Sequence, residues 1–124
     1  MKNIVIVALI VMIFTSALFL QGCSSKTASY GKPITKSETT GIGDILARPA
    51  QFDGKTVKVE GKIVEECPSG GWVTLEDGAA TIYVDLHPSY FAIPQAQGRR
   101  AIAQGTVKKT GPQVSMVGEG VELK

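Results

Sequence analysis

The stretch that most constrains this chain is KTVKVEGKIVEECPSGGWVTLEDGAATIYVDL, Lys55 to Leu86. Its apolar residues recur at every second position: Val57 and Val59, then Val73 and Leu75, then Ile82, Val84 and Leu86. Successive side chains of a strand point to opposite faces, so this spacing predicts three strands, each with one buried and one wetter face. Asp77-Gly78, between the second and third, tolerates the positive φ angles of a tight hairpin. A two-residue turn there sets Trp72 opposite Tyr83 and Thr74 opposite Thr81. A four-residue turn from Asp77 to Ala80 keeps the same faces but sets Thr74 opposite Tyr83. In either register Val73, Leu75, Ile82 and Val84 share the core face, while aromatic and hydroxyl groups gather on the other.

The N-terminus carries an address. Met1-Lys2-Asn3 is a short, positively charged start, followed by an apolar run from Ile4 to Leu20 broken only by Thr15 and Ser16. Leu20-Gln21-Gly22-Cys23, with Ser24-Ser25 behind it, resembles the lipobox of bacterial lipoproteins. That resemblance implies a signal peptide over 1–22, cleavage before Cys23, and diacylglycerol and further acyl chains such as palmitate on Cys23. Each buried methylene contributes about 0.8 kcal/mol, so two or three chains hold a protein to a bilayer without further contact. The competing reading is an uncleaved spanning helix, to which the Gly-Cys ending would be incidental. Both export the domain to the cell envelope, facing the periplasm or the exterior. Ser24 further implies the outer membrane if the host has two.

Residues 23–40 are expected to form a flexible, lipid-anchored tether, because Ser24 to Thr40 is rich in Ser, Thr, Lys and Gly and has little apolar surface to offset the entropy of ordering. The folded domain is then 41–124. Gly41 to Ala50 reads as a short helix with Ile42, Ile45 and Leu46 on one side and Pro49 at its end. Gly61 interrupts the first strand and suggests a bulge or sharp bend, which lets one long strand serve both halves of a small barrel. His87 to Pro94 is an irregular connection whose aromatic and aliphatic residues are expected to plug one barrel end. Arg100 to Lys109 forms a fourth strand, with Gly105 as another bend. Thr110-Gly111-Pro112 turns, and a fifth strand starts at Gln113 and runs on through Val121 and Leu123.

The expected fold is therefore all-β, a five-stranded OB-fold-like small barrel with a short N-terminal helix, preceded by the signal peptide and tether. Phe52-Asp53-Gly54-Lys55-Thr56-Val57, the Val59 to Val64 strand and Cys67 shortly before Trp72 resemble small bacterial OB-fold envelope proteins. These include the uncharacterised DUF4920 family and tRNA-anticodon-binding-like OB domains. Such proteins often carry a second cysteine directly before the tryptophan; here that place is Gly71.

Chemistry is sparse. One histidine, His87, and scattered serines give no Ser-His-Asp arrangement, and no catalytic residue, cofactor or metal set is assigned. A net charge of +2 in 124 residues provides no field for nucleic acid, and the basic pairs Arg99-Arg100 and Lys108-Lys109 lie at opposite ends of one strand. Glu65-Glu66 and Glu76-Asp77 read as solvated acids. Cys67 is either a small buried apolar residue or a thiol for redox or soft-metal contact, with His87 as its only available companion. The candidate ligand face is Trp72, Tyr83, Thr74, Thr81, Asp85 and Cys67, since OB-folds use this hairpin for ligands. Acids rather than bases surround it. The reading is a non-catalytic binding module for an envelope protein or small ligand, with nucleic acid disfavoured. Two alternatives stay open: a redox or metal-handling factor using Cys67, and a module for single-stranded nucleic acid or oligosaccharide.

Overall fold

The structure is a computed structural model that describes residues 27–124. The expected leader, lipobox and Cys23 lie outside the described residues. Six strands appear in chain order: β1 (Ala28–Gly31), β2 (Thr56–Glu66), β3 (Trp72–Asp77), β4 (Ala80–Asp85), β5 (Arg100–Thr110) and β6 (Gln113–Leu123). Two short helices, α1 (Ile42–Ala47) and α2 (Pro49–Phe52), separate β1 from β2, and a 3₁₀ turn (His87–Ser89) follows β4.

Strands β2 to β6 close on themselves. β2 pairs β3, β3 pairs β4, β4 pairs β6 in parallel, β6 pairs β5 and β5 returns to β2. The long β2 makes this closure possible. Thr56 to Lys62 pair with β5, while Lys62 to Glu66 pair with β3. Gly61 sits at the handover, where a Cβ would stand 2.7 Å from the Glu76 carbonyl oxygen, so only glycine lets the two strands approach. The register shift itself falls between Ile63 and Glu65, beyond the glycine that suggested it. Gly105 does lie at a shift, between Gln104 and Gly105 on β5.

The alternation read from Lys55 to Leu86 holds. Val57, Val59, Ile63, Val73, Leu75, Ile82, Val84 and Leu86 are all buried, joined by Ala101, Ala103, Val107, Met116, Val121 and Leu123. α1 lays buried Ile42 and Ile45 into this core against β3 and β4. Leu46 was expected on the same side but is exposed, because one residue beyond buried Ile45 it is turned about 100° around the helix. Pro49 ends α1 as expected and then starts α2, where its missing N–H costs nothing. In the connection after β4, Ile93 and Ala96 are buried, but Tyr90 is not the plug that was expected: it is 96% exposed.

The tether also needs correction. Ala28 to Gly31 pair antiparallel with Gly120 to Leu123, and Lys32 N–H donates to the Glu119 carbonyl at 2.8 Å. The chain then crosses β5, where Gln104 Oε1 accepts the Thr35 and Lys36 N–H groups at 2.9 and 2.8 Å, and reaches β2 through a Thr40 N–H to Lys58 carbonyl bond. Residues 32–40 therefore form a strap over the outside of β6, β5 and β2. Main-chain hydrogen bonds hold it, so the shortage of apolar side chains did not betray it. Among the described residues, the strap does not reach the outer faces of β3 and β4.

Candidate functional site

The hairpin adopts the wider of the two expected registers. Asp77 pairs Ala80, Glu76 pairs Thr81, Thr74 pairs Tyr83 and Trp72 pairs Asp85. Gly78 at φ +63° supplies the positive angle that the turn requires. Trp72 and Tyr83 are therefore diagonal rather than direct neighbours, and their rings meet with centroids 5.3 Å apart and planes tilted by 34°. Trp72 is half-buried against the sheet, and Tyr83 keeps 39% of its surface open. Burial, then the negative charges of Asp85 and Cys67, push the Tyr83 phenol up. It stays protonated, free to donate as well as accept.

Closure of the barrel adds residues that the linear sequence did not bring to this face. The parallel ladder matches Tyr83 with Ser115, Val84 with Met116 and Asp85 with Val117, and begins only at Tyr83. Ahead of it β4 and β6 diverge, leaving an open groove of about 610 Å³ lined by Thr74, Thr81, Tyr83, Gln113, Val114 and Ser115. Alternation along β6 marks Ser115 as outward, but its position beside Tyr83 follows only from the parallel closure.

This architecture is also found in solved structures. The hypothetical protein YgiW from E. coli matches with a TM-score of 0.55 at 21% identity, over 77% of this chain and 97% of that one. The OBody AM1L10, solved bound to hen egg-white lysozyme, matches with a TM-score of 0.56 at 17% identity, over 74% and 98%. A putative aspartyl-tRNA synthetase from Leishmania major Friedlin gives 0.55 at 14%, over 75% of this chain but 23% of that much longer one. This chain is an OB-fold. No protein-family model and no curated protein matches the sequence.

On this OB-fold, Cys67 opens the β2–β3 connection and is partly exposed rather than buried. Its N–H donates to the Trp72 carbonyl, and its carbonyl accepts from Gly70, closing a turn over Pro68 and Ser69. The Ser69 hydroxyl stands 3.0 Å from the sulfur. That hydrogen bond, followed by the Ser69 main chain, lowers the thiol pKa; partial desolvation opposes it, and the Gly71 main chain and the His87 charge add to it.

His87 is exposed but not idle. Its Nδ1 lies 2.9 Å from Asp85 Oδ1, and its own N–H donates to the same oxygen at 3.1 Å. Its imidazole covers Gly71, where a Cβ would collide with Nε2. The 3₁₀ turn after Leu86 brings the ring back onto the Asp85 carboxylate. Beside it a second open recess of about 390 Å³ is lined by Ser69, Gly71, His87, Tyr90, Phe91 and Ala92.

The six predicted residues thus divide. Trp72, Thr74, Thr81 and Tyr83 share the hairpin's outer face, Asp85 borders it while engaged by His87, and Cys67 lies on the adjoining loop. Among the described residues no group of three or more His, Cys, Asp or Glu side chains is placed to hold a metal ion. No helix among them is long and apolar enough to cross a membrane.

Proposed function

We propose that this protein is a lipid-anchored, exported OB-fold module of the cell envelope that binds a partner, without catalysis, on the outer face of β3 and β4. The Trp72–Tyr83 pair carries the reading. Its aromatic surface stands at solvent beside an open groove rich in hydroxyl groups, on the part of the barrel that the strap leaves bare. Aromatic rings bury large area at low entropic cost, which suits them to anchoring ligands. The anchor rests on the lipobox-like Leu20-Gln21-Gly22-Cys23.

Since β1 is docked, only residues 24–27 separate Cys23 from the barrel, and about 17 Å of extended chain is the most they and their flanking bonds can span. The domain would ride close to the headgroups. Intact mass spectrometry of the native protein tests the anchor: loss of 1–22 and added acyl mass support it, and a retained leader without acyl groups removes it. For the face, a photo-crosslinking phenylalanine analogue in place of Tyr83 should give an adduct of defined mass in the native membrane. The adduct should disappear with Trp72→Ala and be absent when the probe replaces Lys55. Equal labelling from Lys55 would count against the face.

A further inference from the structure

The charges around Tyr83 restrict what this face accepts. In register across the outer surface lie Glu65, Thr74, Tyr83 and Ser115, and beside them Lys62, Glu76 and Thr81. Glu76 is a diagonal neighbour of Tyr83 at roughly 7 Å, Asp85 is two residues along the same strand at about 7 Å, and Glu65 is two strands away at about 10 Å. Asp77 adds a fourth carboxylate at the turn. Against them stand Lys62, opposite Glu76; Lys108, in register with Ser115 at the far rim; and His87, which already holds Oδ1 of Asp85. The protein is basic overall, yet the surface that bears half-buried Trp72 and exposed Tyr83 is acidic.

The shape is equally informative. β4 and β6 part ahead of Tyr83, so the groove runs along two diverging strand edges and has Val114 in its lining. An extended main chain can lie between such edges, with alternate side chains turned inward. A cation over an aromatic face within reach of carboxylates gains from both the ring quadrupole and Coulomb attraction.

Building on the binding role proposed above, we infer that the groove takes an extended cationic peptide segment, with one lysine or arginine side chain resting on Tyr83 among Glu65, Glu76 and Asp85. A polyanion meets the wrong sign here.

The test uses the full-length protein in neutral detergent and the emission of Trp72, the sole tryptophan. The probes are two pools of capped pentapeptides with uncharged random flanks, one with arginine at the centre and one with citrulline. The arginine pool should shift the emission saturably at concentrations at least tenfold below any response to citrulline. Glu65→Gln with Glu76→Gln should weaken the arginine response severalfold while leaving the unfolding midpoint in place, as should raising the salt. Equal responses to both pools would overturn the cationic assignment while leaving a binding face that takes neutral ligands. No response to either pool would also overturn it, and the crosslink at Tyr83 would then decide separately whether the face binds anything.

Discussion

The side-chain oxygen of Gln104 accepts the main-chain N–H groups of Thr35 and Lys36 at 2.9 and 2.8 Å, binding the strap to a strand almost seventy residues later in the chain. Gln104 is 7% exposed. Replacing it with alanine leaves two donors without their acceptor, at a cost of about 2 kcal/mol. Chemical unfolding should register that loss, and hydrogen exchange should quicken across 32–40 before it changes in β3 or β4.

Two glycines at positive φ should respond differently to alanine. Gly70, at φ +77°, is pressed against the Ile93 carbonyl, whereas Gly78, at φ +63°, faces open space. Gly78→Ala meets only backbone strain, about 1 kcal/mol. Gly70→Ala also displaces main chain and should cost at least twice that in denaturant titration.

Cys67 should alkylate readily, with a pH profile that inflects below the usual thiol value. The hydrogen bond from Ser69 favours the thiolate, so Ser69→Ala should move the inflection up. Stopped-flow reaction with iodoacetamide between pH 6 and 10 measures both. An unreactive Cys67 would end the redox alternative.

Glu60 accepts a hydrogen bond from Lys124 Nζ at 2.9 Å, and Arg100 approaches the same oxygen at 3.5 Å. The Lys124 hydrogen bond foremost lowers the Glu60 pKa. A folded-state value below the unfolded one means stabilisation that is present above the unfolded pKa and lost as pH falls through the folded one. Glu60→Gln should therefore cost about 0.5 kcal/mol at pH 7. Stability curves of the two proteins should converge toward pH 3.

A double-mutant cycle on Trp72 and Tyr83 should return a coupling of about 0.5–1.5 kcal/mol, as expected of tilted aromatic rings. Tyr83→Ala alone should unfold nothing, because so much of the ring is already in water.

The hairpin was legible because its information is local: alternation, Asp77-Gly78 and strand length act within fourteen residues, from Trp72 to Asp85. Gly61 drew attention for a sound reason but signalled a close approach to Glu76 rather than the shift beyond Ile63. A missing Cβ serves either purpose, and the sequence does not say which. β1 escaped because an edge strand needs main-chain partners, and Ala28 to Gly31 has few apolar side chains to advertise one. At the site, the Thr74–Tyr83 face could be read directly. Ser115, Gln113 and Val114 could not, since they arrive only when β6 closes parallel to β4. The His87–Asp85 contact depended on a 3₁₀ turn with no periodic pattern to reveal it.

β6 is neighbour to β1, β4 and β5 at once. Take it away and three strands lose a partner together and the ring stays open, so damage anywhere along this one strand is felt in three ladders rather than one.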